Sequence, residues 1–490
     1  MLLRQRLFLV MVALLPLHTV FLSAWISWKP YLVIVGVLGG WDLVEGLRHR
    51  AWPWHPRVSL VLAVFLVVVA TGFPSPEFRD RFVRLFLALI VGGLVMLVTE
   101  RSLRRPGMLD STLRVVFWTA AAMGVTALLI SVVLVGVAGN TPINYLTGAE
   151  GYDLPLIDKV AKPAYLLSHF LALSNWHQDP GYGAAWSVLW SSLVMVASAK
   201  GLGSGRPWLD GLVLGGLWLA VVMAFARTGW LSLAVAMLVV SWTLVRRGVI
   251  AAKGIALRLG AAAFSTIALL ILLFSIDVAD VGGDLDVQFA FRFQQGWDLV
   301  ADLTGLFETS EAFEDVFDES EQRADVWPEY WAMFRSDPIT GVGLAVGWET
   351  NSVGQEPHNL WLELAAETGI IGIASFLLVI AAVVTGGFGY VGAVAMLTAF
   401  LPSMTQTVLF EPTWWFAAGL FLGGKAELES DHPLESHRLG VGNTRSGEPS
   451  RKRLFARVHK SRIARVESWR CQCGFESTCW PWSWRSPWFR

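Results

Sequence analysis

Residues 359–383 read NLWLELAAETGIIGIASFLLVIAAV, a run in which Glu363 and Glu367 are the only charges. A transmembrane helix needs about 20 mostly apolar residues, because each helical residue adds about 1.5 Å across a hydrocarbon core about 30 Å thick. The run is long enough, and the chain repeats it. Similar stretches lie at 7–28, 31–45, 58–74, 82–99, 113–138, 182–199, 208–225, 229–245, 255–276, 388–406 and 411–424, giving about twelve expected spans. The second is the weakest, since Asp42 and Glu45 lie near its end.

Composition agrees with that reading. The chain has 490 residues, 54% hydrophobic and 16% charged, with a mean hydropathy of +0.53, whereas charged residues make up about a quarter of a soluble chain. A soluble enzyme, a disordered scaffold and a nucleic-acid binder are excluded. The fold class expected is an all-α polytopic membrane protein with about 12 transmembrane helices and one large extracytoplasmic loop domain. The three cysteines, Cys471, Cys473 and Cys479, crowd into the last twenty residues, so no disulfide framework supports the fold. Arg4 and Arg6 precede an apolar run longer than a signal-peptide core, with no clear small-x-small cleavage site, which reads as a retained first span.

The cytoplasmic bias of Lys and Arg sets the orientation. With the N-terminus inside, the inside loops hold Arg48, Arg50 and Arg57, then Arg101, Arg104 and Arg105, then Lys200 and Arg206, then Arg246, Arg247 and Lys253. Both termini are then cytoplasmic. The chain divides into an N-terminal transmembrane bundle (1–199), transmembrane helices with the Arg227 motif (200–276), an extracytoplasmic acidic loop domain (277–357), C-terminal transmembrane helices (358–424) and a basic, Trp-rich tail (425–490). The loop domain holds 18 Asp plus Glu against 3 Arg and is too long for a plain connection. Within it, Gln294 to Phe307 and Val326 to Phe334 read as amphipathic helices, with Trp297, Trp327, Tyr330, Trp331 and Phe334 supplying apolar faces suited to the membrane interface. The tail reads as disordered and attracted to anionic lipid, and its cysteines lack a fourth ligand at zinc spacing.

Three stretches can carry chemistry. In Phe225-Ala226-Arg227-Thr228-Gly229-Trp230, an arginine sits between two apolar runs at the outer side. A guanidinium at headgroup depth can bind phosphate oxygens bidentately, although a snorkelling arginine at a helix end reads the same. His358 opens the stretch already quoted. It can take a proton from an acceptor hydroxyl near neutral pH, while Glu363 or Glu367, one or two turns deeper, needs a partner. Gly369 and Gly372 would admit a neighbouring helix closely. The third stretch, Arg323 to Gly343, sits with Arg292 and Arg335 among many acids. Salt bridges could satisfy all three arginines, and the acidic field means that an anion must be held by particular arginines rather than by net charge.

Three runs together, Arg227-Thr228-Gly229-Trp230, Arg323…Trp327…Phe334…Pro338-Ile339-Thr340-Gly341-Val342-Gly343, and His358-Asn359-Leu360…Glu367-Thr368-Gly369-Ile370-Ile371-Gly372, resemble the O-antigen ligase and polymerase family of bacterial envelope glycan assembly, over about residues 200–385. The resemblance implies a C-type glycosyltransferase-like, metal-independent membrane enzyme without cofactors, in the bacterial inner membrane with its active site facing the periplasm. Its donor would be a glycan on undecaprenyl pyrophosphate and its acceptor a hydroxyl of lipid A core or another surface glycan. By the same resemblance Arg227 and Arg323 hold the pyrophosphate and His358 orients or deprotonates the acceptor, with Arg292, Arg335, Asn359 and Glu367 lining the substrate. The chain departs from the family's pattern in Ala226, where a serine often precedes the arginine, in the acidic insertion Asp298 to Glu321 and in the tail. A polymerase shares the layout. A transporter or flippase of lipid-linked glycans also has about twelve spans, but this chain shows neither the internal repeat of many transporters nor charge from many helices in mid-membrane.

Overall fold

Long apolar runs punctuated by Pro, Gly and Arg fold as helices whose backbone groups are paired internally, as a bilayer demands. The protein's structure, a computed structural model, describes residues 2–16, 30–72, 78–133, 180–223, 227–275, 318–352, 356–357, 359–387, 389–401, 409 and 412–424. Among the described residues every regular element is a helix: α1 (Leu2–Leu14), α2 (Pro30–His49), α3 (Pro56–Thr71), α4 (Arg79–Leu103), α5 (Met108–Val133), α6 (Pro180–Ala199), α7 (Pro207–Met223), α8 (Arg227–Arg246), α9 (Ala252–Ser275), α10 (Asp318–Ser336), α11 (Val346–Thr350), α12 (Leu360–Gly386), α13 (Tyr390–Phe400) and α14 (Pro412–Gly423). Each expected span coincides with one of these wholly or in part, and for the first span the described helix ends at Leu14.

Among the described residues, four helices are long and apolar enough to cross a membrane, over Arg81–Leu103, Gly229–Arg246, Ala252–Leu272 and Leu360–Gly386. Shorter apolar helices lie at Pro56–Thr71, Ala184–Ala199, Pro207–Val222 and Tyr390–Phe400. The described residues are thus those of a helical membrane protein. Between residues 277 and 357, α10 covers the helix expected at Val326 to Phe334. Gln294 to Phe307, Arg292, His358 and the tail 425–490 lie outside the described residues.

Helix α6 occupies the centre of the bundle. From Ala184 to Ala197 every residue is buried, which marks a helix that is apolar all round and enclosed by others. Helices α5, α7, α8 and α13 pack around it. A second layer forms where α3 lies along α12 and α14 along α4, sealed by Phe376, whose ring packs at a tilt against Phe65, with centroids 5.6 Å apart, and against Trp414, at 5.3 Å.

Two buried polar networks pin the ends expected to be cytoplasmic. Arg4 donates to both oxygens of Asp42, at 2.7 Å each, and to Ser102 Oγ at 3.2 Å. Arg101 adds bonds to Asp42 and Glu45, at 3.0 and 2.9 Å, and to the Pro53 carbonyl at 2.7 Å. The acids that made the second span look weak are therefore neutralised from α1 and α4. On the other side of the bundle Asp210 accepts from Ser198, from Ser204 and, at 3.8 Å, faces Arg258. A buried charge that lacked such partners would cost several kcal/mol, on the order of 3–5.

Candidate functional site

Helix α12 does not run straight. At Gly369 the backbone takes φ 61° and ψ −166°, values open to glycine because they lie in the left-handed half of conformational space. That break leaves the carbonyls of Ala366 and Glu367, and the N–H groups of Ile370 and Ile371, without their partners within the helix. The segment after α10 supplies all four. Val342 N–H donates to Ala366 O at 2.9 Å and Gly343 N–H to Glu367 O at 3.0 Å, while Ile370 and Ile371 donate to the carbonyls of Pro338 and Ile339 at 2.9 and 3.2 Å. The approach is close enough that a Cβ on Gly369 would lie 2.4 Å from Ile339 O, and one on Gly341 would lie 2.4 Å from the Glu367 carbonyl carbon. What Gly369 admits is a loop, where the sequence led us to expect a helix. Gly372 faces the side chain of Thr368 on its own helix.

The break also divides α12 by environment. Glu363 through Gly369 are buried, whereas Ile370, Ile371, Leu377, Leu378 and Val384 expose apolar side chains outward. Seventeen residues from Ile370 to Gly386 give about 25 Å of lipid-compatible helix at 1.5 Å per residue. The first turns of α12, with both glutamates, are enclosed by protein.

Glu367 finds its partners in the backbone. Its carboxylate oxygens accept the N–H groups of Ala345, at 3.0 Å, and Gly347, at 3.2 Å, and so cap the short helix α11, whose N-cap residue Ala345 has no capping side chain and sits at φ 75°. Asn351 closes the other end by donating to the carbonyls of Gly347 and Trp348. Asn359 caps α12, its Oδ1 accepting from Trp361 and Leu362 N–H at 3.1 and 3.2 Å. These two expected substrate contacts therefore direct their oxygens at the scaffold.

Helix α10 lies against the enclosed half of α12, with Val326 and Tyr330 buried on Ala366 and with Met333 and Leu362 beside them. Trp327 Nε1 donates to the carbonyl of Pro357 at 2.8 Å, and Glu329 accepts from the backbone and hydroxyl of Ser352. The Tyr330 hydroxyl is buried without a hydrogen-bond partner among the described residues. Burial, reinforced by the nearby carboxylates of Glu367 and Glu363, pushes its phenol far above the ordinary tyrosine range, so it stays neutral. Arg323 lies within α10, and Arg335 is exposed in its last turn.

Arg227 is the first residue of α8, and one turn on, Trp230 Nε1 donates to Val221 O of α7 at 3.1 Å. Trp230 packs in one cluster with Leu401, whose neighbour Phe400 lies 6.0 Å from Trp361 at the start of α12. The starts of α8 and α12, which carry the Arg227 and Asn359 motifs, thus lie at the same end of the bundle. Arg81, which the motifs did not single out, belongs to this end as well: its guanidinium stacks 3.4 Å from the centroid of the Trp348 ring and lies 3.8 Å from Glu356. The sequence held a signal for it, because Arg79, Arg81 and Arg84 form a basic cluster at the start of a span that the charge bias of the other loops predicts to be outside, against the inward preference of such residues.

Residues 212–377 match a family model described as O-antigen ligase. That segment runs from α7 through the broken part of α12 and includes Arg227, α10, the inserted loop and the start of α12; it leaves out α4. The chain matches no curated protein and no solved structure.

Proposed function

We propose that this chain, an O-antigen ligase family protein over residues 212–377, transfers a glycan from undecaprenyl pyrophosphate to an acceptor hydroxyl at the outer face of the bacterial inner membrane. The observation that supports this most is the loop inserted into α12 at Gly369. It makes α10, which carries Arg323, and the beginning of α12, which follows His358, parts of one rigid scaffold inside the matched segment.

In the proposed reaction the acceptor oxygen attacks the anomeric carbon of the donor sugar. The bond from that carbon to the pyrophosphate oxygen breaks, the electron pair leaves with undecaprenyl pyrophosphate, and the acceptor's proton passes to His358. Arg227 and Arg323 take up the charge that develops on the leaving group, with Arg292 or Arg335 as further phosphate contacts. Asn359 and Glu367 serve this reading chiefly as supports, holding the start of α12 and α11 in place. The acceptor is lipid A core or another surface glycan, and both termini are cytoplasmic.

Deleting the gene and separating the surface glycolipids and the undecaprenyl-linked pool on gels tests this reading. Long chains trapped on undecaprenyl, restored by the wild-type gene but not by Arg227→Ala or His358→Ala at equal protein level, are the expected result. Single repeat units capping the acceptor would identify a polymerase instead. Unchanged pools would contradict both.

A further inference from the structure

We propose that Arg81, on α4 and outside the matched ligase segment, is a positioning residue for the reacting end of α12. The inference rests on the reading of His358 as the group that meets the acceptor hydroxyl. Its physical basis is a clasp of three elements around the residues that flank position 358.

The Arg81 guanidinium does two jobs with two different surfaces. Its flat face covers Trp348 of α11 at 3.4 Å, and its edge faces Glu356 at 3.8 Å. Both side chains of that ion pair are only 17% exposed, so water screens it little. Glu356 adjoins Pro357, whose carbonyl is held at 2.8 Å by Trp327 of α10. Two residues on, Asn359 is held by its bonds to the first N–H groups of α12. Positions 356, 357 and 359 are therefore tied to α4, α10 and α12 respectively. The same guanidinium, through Trp348, also bears on α11, whose N-terminus Glu367 caps.

Arginine suits this place and lysine does not, because a planar cation can stack on an indole and pair with a carboxylate together, whereas an ammonium is a point charge. Neither contact is with the substrate. The expected signature is a fall in turnover with little change in apparent affinity, since an error of about 1 Å in placing a reacting group can lower a rate by about 100-fold.

The test uses the purified full chain in lipid nanodiscs, with the undecaprenyl-linked glycan and acceptor glycolipid extracted from a strain lacking the gene. Arg81→Ala is expected to lower kcat by about 10- to 100-fold with KM for either substrate within about twofold. Arg81→Lys should recover part of the loss. The exchanged pair, Arg81→Glu with Glu356→Arg, should exceed either single variant by about tenfold. A kcat for Arg81→Ala within about twofold of wild type overturns the proposal, as does a rise in KM alone, which would make Arg81 a substrate contact.

A second measurement needs no turnover. In a chain with Cys471, Cys473 and Cys479 replaced by Ser and with His358→Cys, labelling by a membrane-impermeant maleimide should quicken about threefold or more when Arg81→Ala is added, because the contacts at the flanking positions 356 and 357 open more often. An unchanged labelling rate overturns the clasp. Should the wild-type chain transfer nothing, the proposed function fails while the labelling rate still decides the role of Arg81.

Discussion

Replacing Gly341 by Ala attacks the join between the loop and α12 at its tightest point. Gly341 sits at φ 73°, so any Cβ there carries a left-handed penalty of about 1 kcal/mol. The new methyl would also lie 2.4 Å from the Glu367 carbonyl carbon and from the Thr368 nitrogen, both main-chain atoms that cannot swing aside. Relief requires the loop to withdraw, which breaks the bonds from Val342 and Gly343 to α12, each worth about 1 kcal/mol net. The expected loss is about 3 kcal/mol in all. Gly107 supplies the control. It sits at φ 76° with nothing within 4 Å of an added Cβ, so Gly107→Ala should lose only the conformational part, about 1 kcal/mol. Heating the purified variants in steps and measuring the fraction that remains monodisperse on size exclusion gives both midpoints. Gly341→Ala should fall at least twice as far as Gly107→Ala and should lose transfer, because Glu367 can no longer hold α11. Equal shifts for the two alanines, or an active Gly341→Ala, would refute the inserted-loop account.

Other perturbations test other parts of the structure. Arg4→Ala leaves the buried Asp42 with Arg101 as its remaining cation and should lower the yield of folded protein, by a loss of about 1.5–3 kcal/mol, whereas Arg4→Met with Asp42→Leu should recover most of it in the same size-exclusion measurement. Trp327→Phe keeps the ring but removes the bond to Pro357 O, so it should lose about 1 kcal/mol and lower transfer more than stability. Tyr330→Phe removes a buried hydroxyl that has no hydrogen-bond partner among the described residues, and its midpoint at neutral pH should match or exceed that of the wild type. Because the folded state raises the Tyr330 phenol above its unfolded value near 10, its contribution is present below that pH and is lost as pH rises beyond it, when the unfolded chain releases a proton that the folded chain keeps. The difference between wild type and Tyr330→Phe should therefore shift in favour of Phe only in alkaline solution.

Hydropathy made the helices legible, because a bilayer leaves the chain few other ways to pair its backbone. The partners of the polar residues were less so. Asp42 and Glu45 looked like defects in a span until Arg4 and Arg101, 38 and 59 residues from Asp42, were seen beside them. Glu367 announced itself as a buried acid in need of a partner, but its donors are the backbone N–H groups of Ala345 and Gly347, which carry no side-chain signature. Gly369 stood out as a small residue in a span, yet nothing local distinguishes a glycine that admits a helix from one that breaks and receives a loop 30 residues away. The basic cluster that holds Arg81 is visible in the sequence, but its partners required the fold, since Trp348 and Glu356 lie more than 260 residues along the chain.

The central claim is most directly tested by a single-turnover experiment with the purified chain, the lipid-linked glycan and its acceptor glycolipid. The account predicts one undecaprenyl pyrophosphate released for every new glycosidic bond, with both products lost in Arg227→Ala and His358→Ala. Equal product from wild type and both variants, at equal amounts of folded protein, would contradict it.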